Sequence, residues 1–108
     1  MENQKDLKLK EIIRENAAEF FSRESNRTSL ITVTDVELKS RNSRANILIT
    51  VLPENQENAV LDFAGRQMNA FRDYIEKHSR IARIPFFEVK IDYGEKNRQR
   101  LDEISRNV

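Results

Sequence analysis

The stretch Leu61–Asp92, LDFAGRQMNAFRDYIEKHSRIARIPFFEVKID, constrains the fold more than any other part of the chain. Val60, just before it, and Phe63, Ala64, Met68, Phe71, Tyr74 and Ile75 recur at helical spacing. Gly65 and Asn69 are the weak points of that run, and the helix should stop near His78 or Ser79. A polar, basic segment follows up to Arg83. Arg83–Asp92 then reads as a strand, with Pro85 near its start and Phe87, Val89 and Ile91 pointing inward. A helix that feeds such a strand has to cross a sheet whose other strands come from elsewhere in the chain.

Those strands are legible upstream. Ser29–Ser40, SLITVTDVELKS, is rich in β-branched residues. Ile31 and Val33 share one parity; Val36 and Leu38 share the other. A strand of period two can bury both pairs on one face only through a bulge, expected near Thr34 and Asp35. Ser40–Ser43 is a turn in which Asn42 can take a left-handed backbone. Arg44–Leu52 alternates, with Ala45, Ile47, Ile49 and Val51 on one side and Asn46, Leu48, Thr50 and Leu52 on the other. The two runs form an antiparallel hairpin. Pro53 closes the second strand because it cannot donate to a ladder.

Helices flank this core. After a frayed start at residues 1–6, the positions Leu7, Leu9, Ile12, Ile13, Ala17, Phe20 and Phe21 give an amphipathic helix from about residue 5 to 23. A polar break, Glu24–Thr28, separates it from the first strand. Pro53-Glu54 or Asn55 starts the crossover helix. Leu101, Ile104 and Val108 mark a short C-terminal helix, with Asp92 and Glu95 at capping-box spacing. The order α-β-β-α-(α)-β-α is that of an α+β two-layer sandwich, with helices on one face of a three-stranded mixed sheet. One domain should span residues 1–108, with an ordered core from about 7 to 105.

Composition narrows the chemistry. The chain has no Cys, so disulfides, thiolate zinc sites and thiol catalysis are excluded. Its single histidine, His78, lies at a helix end beside Lys77 and Arg80, a dipole position rather than a catalytic one. The two glycines cannot make a Gly-rich phosphate loop. No run approaches the ~20 apolar residues of a spanning helix, and the polar start MENQKDLKLK is not a signal peptide. These features point to a soluble, cytoplasmic, monomeric protein that is not an enzyme, with no cofactor, no metal, no membrane and no small-molecule substrate. The net charge is only +1, but it is unevenly spread. Residues 39–52 carry three basic groups and no acid, and residues 66–90 carry six basic and three acidic groups. Two basic patches therefore stand out of a near-neutral chain.

The element order resembles that of a type II KH domain, a fold that binds RNA through a Gly-x-x-Gly loop between two helices. This chain has no Gly-x-x-Gly. It resembles one KH-like family that also lacks it, ribosome-binding factor A. The hairpin LITVTDVELKSRNSRANILITVL is similar to that family's first hairpin, and ARIPFFEVKIDYG to its basic hinge, proline, aromatic strand and terminal Asp. Arg72 falls where the family carries Arg in its second helix. The resemblance covers roughly residues 7 to 105. The family replaces Gly-x-x-Gly with a kink bearing Ala-x-Gly. Counting back from Pro85 puts Gln67-Met68-Asn69 there, and a left-handed Asn69 could make the kink. The kink could instead fall at Ala64-Gly65, or be absent.

The resemblance implies a factor that assists late maturation and processing of 16S rRNA on the small (30S) ribosomal subunit, without a catalytic step. On that reading the kink, at Gln67 and Asn69, offers a helix start to phosphate. Arg66, Arg72, Lys77, Arg80 and Arg83 line a groove, and Lys39, Arg41 and Arg44 at the hairpin turn add a second cationic patch. Two other readings stand beside it. One is a KH-like RNA- or DNA-binding module not tied to the ribosome. The other is a protein-interaction domain using Leu48 and Leu52 on the sheet's outer face.

Overall fold

The computed structural model describes residues 3–24 and 29–106. The chain folds as helix α1 (Gln4–Glu24), strands β1 (Leu30–Lys39) and β2 (Arg44–Leu52), a single 3-10 turn (Glu54–Gln56), helices α2 (Glu57–Arg66) and α3 (Met68–His78), strand β3 (Phe86–Ile91) and helix α4 (Tyr93–Arg106). The sheet order is β1-β2-β3. β1 and β2 are antiparallel, and β3 runs parallel to β2. A mixed three-stranded sheet follows directly from a hairpin plus one helical crossover.

The strands take the register that their apolar phases require. Ile31, Val33, Val36 and Leu38 reach one face because the β1–β2 ladder shifts between Val33 and Asp35, where the phase of the sequence breaks. The turn Ser40–Ser43 carries three consecutive left-handed residues, Ser40 (φ 53), Arg41 (φ 55) and Asn42 (φ 68). Asn42 was the residue expected to do this; Ser40 and Arg41 join it. The Ser43 amide donates to the Ser40 carbonyl at 3.1 Å, and Asn42 Nδ2 donates to Asp6 Oδ1 at 2.7 Å, pinning the turn to the start of α1.

One face of the sheet carries the core. Ala45, Ile47, Ile49 and Val51 from β2, Val36 from β1 and Phe87 and Ile91 from β3 are buried against Ile13, Ala17, Phe20 and Phe21 of α1, Val60 and Ala64 of α2, and Phe71 and Ile75 of α3. Aromatic packing ties these layers. Phe71 meets Phe20 at a centroid distance of 5.3 Å and Phe87 at 4.9 Å, both edge to face.

Three features depart from the sequence reading, and a further one falls outside the described residues. Helix α1 begins at Gln4, because Asn3 Oδ1 accepts from the Asp6 amide at 2.9 Å; residues 4–6 are therefore helical rather than frayed. The polar break expected at Glu24–Thr28 falls, after Glu24, on residues outside those described, as does Val108. The long helix is broken, but Asn69 is not left-handed: it is the second residue of α3, and among the described residues only Ser40, Arg41 and Asn42 have positive φ. The break is one residue, Gln67, at φ −94 and ψ 1, a conformation open to any residue type. Gly65 remains inside α2. Finally, α4 is longer than expected, with 14 residues. Asp92 caps it as foreseen, its Oδ1 accepting from the Glu95 amide at 3.0 Å while Oδ2 accepts from the Thr34 hydroxyl at 2.6 Å. That pair links the β1 bulge to the end of β3.

Candidate nucleic-acid interface

At the hairpin-turn end of the sheet, four segments distant in sequence converge. The first turns of α1 bring Lys5 and Lys8. The β1–β2 turn brings Arg41. Helix α3 brings Arg72, and the hinge between α3 and β3 brings Arg80 and Arg83. Together they line an open groove of about 910 Å³. Its apolar floor comes from Leu9, Ile12, Ile81, Ala82 and Ile84. All six cations are exposed, and no carboxylate lines the groove among the described residues. Among those residues none of the six has an ion-pair partner. Nearby Asp6 is instead engaged with Asn42. Clustered, unneutralised cations repel one another, so such a groove favours an extended anion.

The hinge holds its shape through Arg72. Its Nη1 donates to the Pro85 carbonyl at 3.0 Å and its Nη2 to the Ile84 carbonyl at 3.2 Å. A planar fork suits two successive carbonyls in a way an ammonium cannot. At the other end of the hinge, Ser79 Oγ donates to the Ile75 carbonyl at 2.6 Å, closing α3. His78 stays on α3, stacked on Tyr74 at 4.0 Å between centroids.

The ten residues singled out from sequence therefore fall into distinct places. Arg41, Arg72, Arg80 and Arg83 meet in the groove. Arg66, Gln67 and Asn69 sit at the α2–α3 break, with Arg66 and Asn69 exposed and Gln67 half-buried. The eleven residues of α3 put that break roughly 16 Å from the hinge along the helix. Lys77 is exposed in the last turn of α3 and does not line the groove. Lys39 and Arg44 lie on the opposite face of the sheet, where Arg44 pairs with Glu88 at 3.4 Å. Lys5 and Lys8 were missed. Their signal was the shared helical face Lys5-Lys8-Leu9-Ile12, two cations beside two apolar residues that cover the groove floor.

The element order, the mixed sheet and a helix break without a Gly-x-x-Gly loop define a type II KH-like domain. No family model matches the chain. Over 103 residues it is 30% identical to the ribosome-binding factor A of Thermodesulfovibrio yellowstonii, an alignment covering 94% of this chain and 87% of that protein. The chain belongs to the ribosome-binding factor A family. The crystal structure of ribosome-binding factor A from Thermus thermophilus superposes with a TM-score of 0.69 at 20% identity, over 79% of this chain and 93% of that one. A homology model of the Thermus thermophilus factor, fitted into a cryo-EM map of a 30S complex, matches with a TM-score of 0.64 at 20% identity, over 73% of this chain and 86% of that one. These two likenesses establish the shared fold.

Proposed function

We propose that this protein binds the small ribosomal subunit and assists late maturation of its 16S rRNA, without catalysing a reaction. Family membership supports the ribosomal partner, and a related fold has been placed in a 30S complex. One observation carries the site: among the described residues, six cations without ion-pair partners come from four segments to line a single groove that has no carboxylate. Lys5, Lys8, Arg41, Arg80 and Arg83 are its phosphate contacts, and Arg72 positions the hinge that presents the last two. Contacts of this kind fix the register of an RNA strand and carry little sequence choice, so selectivity comes from RNA shape. The α2–α3 break, with Arg66, Gln67 and Asn69, is a second contact region at the other end of α3.

Cosedimentation with immature small subunits at two salt concentrations tests the reading. Binding should fall steeply between about 50 and 200 mM salt, as expected for several neutralised phosphates. Arg80→Glu with Arg83→Glu should abolish binding at the lower salt while the protein stays folded. Retention of the double variant on the subunits would refute the groove as the interface. Binding to short RNAs but not to subunits would favour a module not tied to the ribosome.

A further inference from the structure

The outer face of the sheet carries an aromatic that the core does not use. Phe87 is buried, so its neighbour Phe86 points the other way, 57% exposed. The other phenylalanines of the aromatic core, Phe20, Phe21, Phe71 and Phe87, are all buried. Phe86 is aligned with Arg44 across the β2–β3 ladder, and Arg44 with Lys39 across the β1–β2 ladder. Lys39, Arg44 and Phe86 therefore form one row across all three strands at the hairpin-turn end. The Arg44 guanidinium carbon lies over the Phe86 ring, 5.2 Å from its centroid, so a cation sits on one face of a ring that is otherwise exposed. The Phe86 amide donates to the Ser43 carbonyl at 2.9 Å, which fixes the start of β3 to the turn.

This row adjoins the groove. Arg41 lines the groove from the same turn whose flanking residues, Lys39 and Arg44, enter the row. The next row on the outer face is Glu37-Asn46-Glu88, with Glu37 bonded to Asn46 and Glu88 paired to Arg44. Acids there disfavour a polyanion further along the sheet. An anionic strand is thus admitted to the outer face only at its turn end, where it meets an exposed aromatic ring next to Arg44, with Lys39 one strand further on.

We propose that Phe86 is a stacking platform for one unpaired base of the RNA strand that leaves the groove around the β1–β2 turn, with Lys39 and Arg44 on its flanking phosphates. The proposal rests on the groove reading above and adds to it the ligand class: single-stranded RNA with a splayed-out base. Charge complementarity and ring geometry both select that ligand over an apolar peptide, since the row around Phe86 is cationic. Aromatic platforms of this kind tolerate any base, because every base has a π-face.

The test uses the full chain and a single-stranded oligoribonucleotide of about ten residues bearing 2-aminopurine, with small subunits in parallel. Phe86→Leu keeps an apolar side chain at an exposed position and removes the π-face. It should weaken oligonucleotide binding about five- to 150-fold, the range for one stacked base, and leave the salt slope unchanged. Phe86→Trp should restore binding. Because the chain has no Trp, that residue also becomes the sole indole reporter, and RNA should quench it. Phe86→Leu binding within twofold of the parent, or an indole unmoved by saturating RNA, overturns the proposal. If Phe86→Leu is silent while Arg80→Glu with Arg83→Glu is not, the groove stands and the stacking falls. Loss of subunit binding with oligonucleotide binding intact would mean a protein occupies Phe86, which also overturns it.

Discussion

Arg72 separates two kinds of cation in this groove. If it is a clasp, its removal costs stability as well as affinity; if it is a phosphate contact, it costs affinity alone. The clasp makes two hydrogen bonds from a charged donor, at 3.0 and 3.2 Å, to the carbonyls that lead into buried Pro85. A hydrogen bond to a charged group contributes about 1.5–3 kcal/mol net. Arg72 is solvent-exposed and the longer bond lies at the surface, so the low end of that range applies to the pair. Arg72→Ala should therefore lose about 2 kcal/mol, a fall in Tm of roughly 8 °C for a domain of this size. Arg72→Lys keeps the charge but cannot fork across both carbonyls, and should lose about half as much. Urea denaturation gives the stabilities, and salt-dependent cosedimentation gives the number of phosphates engaged. For a clasp, Arg72→Lys weakens subunit binding with an unchanged salt slope, because Arg80 and Arg83 are still charged but less well placed. The reasoning is refuted if Arg72→Lys matches the parent in both assays while Arg72→Ala is as stable as the parent and only flattens the salt slope.

Two further outcomes follow from the geometry. Asn69 is helical, so Asn69→Ala should stabilise by about 0.5 kcal/mol and lie about 1 kcal/mol above Asn69→Gly in urea denaturation; the reverse order would mean a left-handed backbone at the break. Glu54 meets Lys96 at 2.6 Å and also pairs with Arg100, and these hydrogen bonds hold its carboxyl below the ordinary value of 4.5. A lowered folded pKa contributes stability that is fully present above pH 4.5 and lost as pH falls through the folded value, so Glu54→Gln should be less stable than the parent at about pH 7, and the gap should close as pH falls below the folded value.

Much of the fold could be read from the chain because burial leaves a periodic mark. The conflict of parity between Ile31-Val33 and Val36-Leu38 located the bulge, and the ladder shifts there. Strict alternation from Ala45 to Val51 gave the buried face of β2, and Asp92-Glu95 gave a cap that forms. The helix break resisted periodicity because Val60, Ala64, Phe71 and Ile75 stay on the core side of both helices. A single residue at φ −94 needs neither glycine nor asparagine, so Gln67 bears no compositional mark, and the expectation drawn from Asn69 was wrong about the backbone. Lys5 and Lys8 escaped for a different reason. Residues 1–38 carry more acids than bases, which hides two lysines that only the tertiary fold sets beside Arg41, Arg80 and Arg83. Arg72 looked like one more cation in a basic stretch; its commitment to two carbonyls is a property of the folded hinge alone.

The charge layout explains how a chain of net charge +1 can present the proposed polyanion site. β2 runs from the hairpin turn to Leu52, eight steps or about 26 Å. At its far end Glu54 and Glu57 are neutralised by Lys96, with Arg100 also on Glu54. At its near end the groove cations have no such partners among the described residues. The acids and bases nearly cancel in the sum but not in space, because the far-end cations are spent on carboxylates and the groove cations, unlike Arg44 beside them, are not. At physiological salt the screening length is about 8 Å, well short of the strand. An approaching RNA therefore responds to the nearest end of the protein and not to its net charge. Long-range attraction is weak, and the gain is in orientation: the same molecule carries paired charge at one end and unpaired positive charge in the groove at the other. The geometry also sets the cost of the arrangement. Arg80 and Arg83 are held toward Lys5, Lys8 and Arg41 by the Arg72 clasp and the Asp6–Asn42 bond, against their mutual repulsion. A bound phosphate chain relieves that repulsion, so RNA that fits the groove stabilises the folded hinge as it binds.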